Sequence, residues 1–153
     1  MRRAPDPIAA VRKERAVPLP PERAFELFTT RMGSWWPMLT HSLAGDGATG
    51  VRFEGHVGGR VVELTADGVE HVWAVVTTWD PPERLVLSWH PAEEPEAASR
   101  VEVRFVATDT GCQLELEHTD FEEHGEIGRQ LRDRYDPGWD EVLVALDRAT
   151  VST

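Results

Sequence analysis

The sequence predicts an α+β domain in which an antiparallel sheet curls around a long C-terminal helix, and three observations carry that prediction. Residues 51–119 break into short β-prone runs separated by turn residues, the pattern of strands joined by hairpins. Val101, Val103 and Phe105 alternate with Arg100, Glu102 and Arg104, and Leu114 and Leu116 alternate with Gln113, Glu115 and Glu117. Such a sheet has one apolar face and one wet face. Residues 137–149 then place Trp139, Val142, Leu143 and Leu146 on one side of a helix and Asp140, Glu141, Asp147 and Arg148 elsewhere, a stripe that must cover something apolar.

Each element follows in order. Residues 10–19 contain Val-Arg-Lys-Glu-Arg-Ala-Val and read as an edge strand with a solvated face. Pro20-Pro21-Glu22 is a helix start, with proline tolerated in the first turn and a carboxylate near the positive helix end. Ala24, Phe25, Leu27 and Phe28 form its core-facing stripe. Met32-Gly-Ser-Trp-Trp-Pro-Met38, with Ser34 as a candidate cap, reads as a second short helical turn or an ordered loop, and residues 40–50, rich in Gly, Ser, Thr and Asp, as a mobile surface connection. Six strands are expected at 51–55, 60–66, 69–79, 84–90, 99–108 and 111–119. They are joined by Gly58-Gly59, Asp67-Gly68, Pro81-Pro82, the acidic 91–98 loop and Asp109-Thr110-Gly111. With the first strand, the sheet has seven. The strand over 69–79 has no single phase: His71, Trp73, Val75, Thr77 and Trp79 fall on one side, Val72, Ala74, Val76 and Thr78 on the other, and both sides are apolar. Only a bulge would put Trp73 and Trp79 on different faces. Asp136 as cap and Pro137 at the first position start the last helix at 137.

Composition narrows the function. At 153 residues the chain suits one domain spanning 1–153, large enough to bury a core without disulfides or metals. A formal charge of −11 repels phosphate backbones, so nucleic acid is not an expected partner. The acidic clusters Glu93, Glu94 and Glu96, and Glu115, Glu117, Asp120, Glu122, Glu123 and Glu126, read as solvated faces. No apolar run is long enough to span a membrane, and the first ten residues lack the hydrophobic middle of a signal peptide, so the cytoplasm is the expected compartment. The lone Cys112 reads as a small packing residue. The histidines at 41, 56, 71, 90, 118 and 124 follow no metal-ligand spacing, so neither a metal nor any other cofactor is expected. No Gly-x-Ser-x-Gly surrounds any serine.

Eight segments together resemble the START/Bet v 1-like superfamily, also called SRPBCC, and within it the bacterial domains similar to the activator of heat-shock protein 90 ATPase. They are Pro21-Glu-Arg-Ala-Phe-Glu-Leu-Phe28, Trp35-Trp36-Pro37, Gly58-Gly59-Arg60, the run from Trp73 through Pro82, Arg84-Leu-Val-Leu-Ser-Trp89, Val101-Glu-Val-Arg-Phe105, Leu114-Glu-Leu-Glu-His118 and Gly138-Trp139. The resemblance implies a helix-grip fold with a hydrophobic cavity between sheet and terminal helix. It does not fix a chemistry, because the superfamily hosts carriers, receptors, cyclases and chaperone regulators on one scaffold.

Binding pockets are mostly apolar with a few orienting polar groups, and six tryptophans supply the walls. The expected ligand-binding residues are Trp35, Trp36, Met38, Trp73, Trp89, Phe105, His118, Tyr135 and Trp139, with no residue assigned to catalysis or to metal. The expected partner is a hydrophobic small molecule, a homodimer is allowed, and the preferred reading is a binding domain rather than an enzyme. A chaperone ATPase-activator-like interaction module and a polyketide cyclase-like enzyme are the alternatives. In the latter, His118 or Glu63 with Tyr135 would perform the acid–base work.

Overall fold

A computed structural model describes residues 8–91 and 98–151; Glu93, Glu94 and Glu96 lie outside the described residues. In chain order the elements are β1 (Val11–Val17), α1 (Pro21–Phe28), single 3-10 turns at Met32–Ser34 and Gly45–Gly47, β2 (Ala48–Phe53), β3 (Arg60–Thr65), β4 (Glu70–Asp80), β5 (Arg84–Trp89), β6 (Ser99–Thr108) and β7 (Gly111–Thr119). A 3-10 segment, Phe121–Ile127, then leads into α2 (Gly128–Val151). The seven strands form one sheet in the order β1-β7-β6-β5-β4-β3-β2, every pair antiparallel. This is the helix-grip arrangement the sequence predicts. Among the described residues no helix is long and apolar enough to cross a membrane.

Local chemistry accounts for the elements. α1 begins with proline in its first turn, where a missing N–H leaves no bond unmade, and buries Ala24, Phe25, Leu27 and Phe28. The β6–β7 hairpin needs Gly111 twice over: its φ is +152°, and a Cβ there would sit 2.2 Å from the Val17 carbonyl oxygen of the neighbouring edge strand. β1 turns Lys13 and Arg15 toward α2, where Lys13 bonds Asp136 at 2.7 Å and Asp140 at 3.1 Å and Arg15 pairs with Asp147 at 3.3 Å. The edge strand is thus joined to the helix by charge, and α2 buries Trp139, Val142, Leu143, Leu146 and Thr150 over the sheet.

Two expectations give way to tertiary contacts. Ser34 caps nothing; its hydroxyl donates to the Arg31 carbonyl at 2.7 Å. The last helix starts at Gly128, and Pro137 lies inside it. Proline in a helix interior removes one hydrogen bond and crowds the preceding turn. The first turns are nevertheless held from outside: Arg132 donates to the Ala9 and Ala10 carbonyls, Leu131 packs against the core, and Asp136 is bonded to Lys13.

The unresolved phase of β4 has a geometric answer. Between β3 and β4 the register runs Val61–Ala74 and then Val62–Val72, so Trp73 is an extra residue; between β4 and β5 it runs Val76–Leu87 and then Thr78–Val86, so Thr77 is extra. Each bulge inverts the alternation. His71 and Trp73 therefore face inward, Ala74 and Val76 take over the inward phase after the first bulge, and Trp79 regains it after the second. Trp73 and Trp79 end on the same face because two bulges cancel.

On the outer face, Glu102 sits almost buried beneath three guanidinium groups, bonded by Arg84 at 2.5 Å, Arg104 at 2.9 Å and Arg100 at 3.2 Å. Burial alone would raise its pKa; the hydrogen bonds from Arg84, Arg104 and Arg100 outweigh that and hold it down to about 2, against an ordinary 4.5. A carboxyl whose folded pKa is depressed stabilises the fold fully above its unfolded value and loses that contribution as pH falls through the folded one. Glu102→Gln is therefore expected to lower stability at neutral pH by about 1–2 kcal/mol, after discounting for the partly exposed arginines. Urea unfolding of wild type and variant should converge as pH drops from 4.5 toward 2; a stability gap independent of pH would contradict the assignment.

Candidate functional site

A cavity of about 400 Å³ opens between α2, the inner ends of β4 and β5, and the segment that follows α1. Trp36, Trp73, Trp89 and Trp139 wall it, with Leu131 and Val142. Its polar lining comes from Thr40, His41 and Ser42 on one side and from Arg134 and Tyr135 of α2 on the other. The tryptophans touch in series: Trp36 lies 5.2 Å from Trp73, 6.4 Å from Trp89 and 6.1 Å from Trp139, ring centre to ring centre. Trp89 Nε1 donates to the Tyr135 hydroxyl at 3.1 Å, so one wall is tied to the helix.

The segment along the cavity's rim is built around a buried carboxylate. Glu63 of β3 is fully buried on the inner face. It accepts hydrogen bonds from the amides of Leu43 at 2.6 Å and Ala44 at 2.7 Å, and from Trp73 Nε1 at 3.0 Å. All three partners are N–H donors, which suits an acceptor-only carboxylate. Residues 40–50 are therefore not the loose connection their composition suggests. Trp36 Nε1 donates to the His41 carbonyl at 2.8 Å, the His41 amide to Pro37 O at 2.9 Å, and Ser42 Oγ to Met38 O at 2.5 Å. The backbone of His41 is fixed from both sides.

At the rim, the imidazole of His41 bridges two elements. Its Nε2 lies 3.0 Å from Glu141 Oε2 of α2, and its Nδ1 lies 2.7 Å from Thr40 Oγ1. Gly138 faces the cavity one turn before Glu141, and a methyl group there would meet no heavy atom of another element within 4 Å. Arg134, one turn earlier again, makes no ion pair among the described residues.

Of the nine residues the sequence nominates, Trp36, Trp73, Trp89, Tyr135 and Trp139 line this cavity. The other four lie elsewhere. Trp35 donates to the Leu27 carbonyl at 2.6 Å and packs on Phe28, under α1. Phe105 sits between Phe25 and Phe28, Met38 packs against the core, and Trp79 completes this second aromatic group against Phe25 and Phe53. His118 is fully buried beneath the cavity floor, 4.4 Å from the Phe121 ring and 4.7 Å from Tyr135.

The hydrogen bonds of His118 define its tautomer. Trp139 Nε1 can only donate, and gives its hydrogen to His118 Nδ1 at 3.0 Å. Nε2 therefore carries the proton and donates to Ser99 Oγ at 2.7 Å, and Ser99 donates onward to the Trp89 carbonyl at 3.2 Å. Burial, and after it the neighbouring His124, pushes the His118 pKa from 6.5 down to about 3. A neutral, saturated and sealed imidazole holds Trp139 and Trp89 in place; it is a strut of the cavity wall and has no free lone pair for proton abstraction.

Sequence reasoning missed Thr40, His41, Ser42, Arg134 and Gly138 as cavity residues. The first three stand directly after Trp-Trp-Pro-Met-Leu, a concentration of polar groups beside aromatic ones that was a usable signal. Arg134 was hidden by the expected helix start at 137.

Comparison with known proteins agrees with the fold. Residues 18–150 match the family model described as Activator of Hsp90 ATPase homolog 1-like protein. No curated protein matches the sequence. Among solved structures, protein MLL2253 from Mesorhizobium loti is similar at 22% identity and a TM-score of 0.71, covering 95% of this chain and 98% of that one. The anthrahydroquino-gamma-pyrone synthase Txn09, solved in complex with SUM, is 34% identical with a TM-score of 0.60, covering 87% of this chain and 90% of that one. The Aha1 dimer from Colwellia psychrerythraea shares the fold at 16% identity and a TM-score of 0.66, covering 93% and 96%.

Two predictions concern the buried polar groups. A histidine kept neutral in the fold but free to protonate when unfolded makes stability fall as pH drops from 6.5 toward 3, by up to ~1.4 kcal/mol per unit. His118→Gln, which does not titrate, is expected to flatten that part of the urea-stability profile; an unchanged slope would refute the assignment. Glu63→Gln sets an amide NH2 against N–H donors and is expected to cost about 1–3 kcal/mol. Hydrogen exchange should show the Leu43 and Ala44 amides losing protection, and protection equal to wild type would count against the tether.

Proposed function

Since the chain belongs to the Activator of Hsp90 ATPase homolog 1-like family, on a fold suited to enclosing small ligands, we propose that it binds a flat aromatic small molecule bearing a phenolic or acidic group. The observation that carries this reading is the cavity of about 400 Å³, within the size range of small-molecule sites and walled by four tryptophans around the bare Gly138. Indole faces stack on planar rings, and the Arg134 guanidinium is placed to meet an anionic substituent. Glycine inside a helix costs about 1 kcal/mol relative to alanine, and no neighbouring element requires it here. Its retained effect is space in the cavity.

A second reading has its own support. The 34% identity to a synthase over 87% of this chain favours a polyketide cyclase-like enzyme acting on such an aromatic. Binding is the common requirement of both. The chaperone-activator alternative predicts instead a changed Hsp90 ATPase rate when the protein is added, and an unchanged rate is expected.

Gly138 separates a working cavity from a packing void. Alizarin, a flat tricyclic phenol, is expected to quench the tryptophan fluorescence of the wild-type protein saturably. Gly138→Ala should raise stability by about 0.5–1 kcal/mol and keep most of the binding, because a methyl occupies little of the space. Gly138→Leu should leave far-UV circular dichroism intact and weaken alizarin at least about tenfold. Equal affinity in the leucine variant and wild type, or no saturable quenching at all, would overturn the proposal.

A further inference from the structure

Thr40, His41 and Glu141 form one hydrogen-bonded series along the cavity rim, hydroxyl to imidazole to carboxylate. The Thr40 hydroxyl has two acceptors in reach, His41 Nδ1 at 2.7 Å and the Pro37 carbonyl at 3.5 Å, and the shorter contact takes its hydrogen. His41 Nδ1 is then an acceptor, so Nε2 carries the ring proton and donates it to Glu141 at 3.0 Å. That polarity makes the series a proton acceptor whose open end is the Thr40 oxygen. We propose that Thr40–His41–Glu141 is a proton relay that ionises an acidic O–H of an aromatic ligand held in the cavity, with Glu141 as its positioning residue.

The proposal rests on the binding reading above and adds a chemistry to it. In the step, the ligand O–H bond breaks as a Thr40 Oγ1–H bond forms, and the original Thr40 hydrogen passes to His41 Nδ1. The products are a ligand phenolate and an imidazolium, with no change in oxidation state. Each charge has a counterpart: Glu141 faces the imidazolium, and Arg134 of the same helix lines the cavity that holds the phenolate. Glu141 of α2 bonds the His41 ring, Arg134 and Tyr135 of α2 line the same cavity, Thr40 and Ser42 flank His41 in its own segment, and Glu63 of β3 holds the Leu43 and Ala44 amides that follow.

Placement argues for use rather than accident. Histidines on a surface turn swing freely, but the His41 carbonyl is held by Trp36, itself a cavity wall, and the two amides beyond Ser42 are held by Glu63. The ring is largely shielded, with 18% of its side chain exposed, whereas Glu141 remains 67% exposed. Thr40 lines the cavity but is itself an exposed residue, so the series runs along the rim where the cavity meets water, and a proton passed to it has solvent within reach. Hydroxyl–imidazole–carboxylate is the arrangement in which the acid fixes the tautomer and stabilises the imidazolium once it forms.

Alizarin reads the relay directly, because its absorption moves to the red when it ionises. Bound to wild-type protein it is expected to ionise at lower pH than in free solution. His41→Asn and Thr40→Val change the cavity lining and are expected to weaken binding, so each is compared at dye concentrations that saturate it by tryptophan quenching; the red band of the bound dye should then appear about one pH unit higher than in wild type. Glu141→Ala should give an intermediate shift. Binding retained with the same ionisation profile in wild type and His41→Asn overturns the relay and leaves the pocket standing. Absence of binding to wild type overturns the pocket itself. The relay has an independent readout in the ligand-free protein: long-range nitrogen–proton correlation spectra should show His41 as the Nε2–H tautomer, and a mixture in Glu141→Ala. A wild-type His41 protonated on Nδ1 would refute the proposal.

Discussion

The cavity depends on one buried carboxylate. Taking a carboxylate out of water carries a penalty of several kcal/mol, which no fold keeps unless the lone pairs are satisfied. Among the described residues Glu63 meets that demand through two consecutive loop amides and one indole N–H. The consequences spread from there. The loop amides can reach Glu63 only if residues 37–44 fold back over the open end of the sheet, which brings Thr40 and His41 to the cavity. The indole can reach it only if Trp73 faces inward, which the bulge at that residue permits. One acidic side chain thus orders the rim and orients a wall.

His118 plays the matching part beneath the floor. It joins β7 to α2 through Trp139, and to β6 and β5 through Ser99 and the Trp89 carbonyl. Tryptophans are large, and a tilted pair of them keeps one arrangement only when its neighbours fix both rings. Trp89 and Trp139 stand 5.5 Å apart, and the same histidine takes a bond from one indole and passes one toward the backbone of the other. Polar groups on the inner face thus fix tryptophans whose apolar surfaces remain open to the cavity.

Much of the fold was legible because it is written in local patterns. Alternation in β6 and β7, proline at the start of α1 and the stripe of α2 each express a period or a turn that neighbouring residues define. What was illegible depends on distant partners. The phase of β4 was hidden because two bulges interleave both phases over eleven residues, leaving an average that looks apolar on both sides. The true start of α2 was hidden because Asp136-Pro137 is a strong local start signal, overruled by Lys13, Ala9 and Ala10 from the opposite end of the chain. Four tryptophans of the site could be chosen by residue type alone, yet the same reasoning chose Trp35 and Phe105, which fill the space under α1. Bulk and aromaticity do not distinguish a cavity wall from a core.

The polar rim marks the difference, and α2 bears the cost of it. Pro137 and Gly138 are the two residues least suited to a helix interior, and they stand together where α2 passes the cavity. A helix selected only for packing would carry alanine or leucine there, closing the space and gaining stability. Instead the helix gives up a hydrogen bond at Pro137 and a side chain at Gly138, while Arg134 lines the same opening and Glu141 bonds the His41 ring at the rim. Of these residues Gly138 and Arg134 line the cavity, and a helix-weakening glycine kept on such a lining is the pattern expected where function opposes stability. In the proposed reading, the absence of a side chain at 138 and the presence of His41 are two parts of one site: the first leaves room for a planar ring, and the second, through Thr40, would take up the ring's acidic hydrogen.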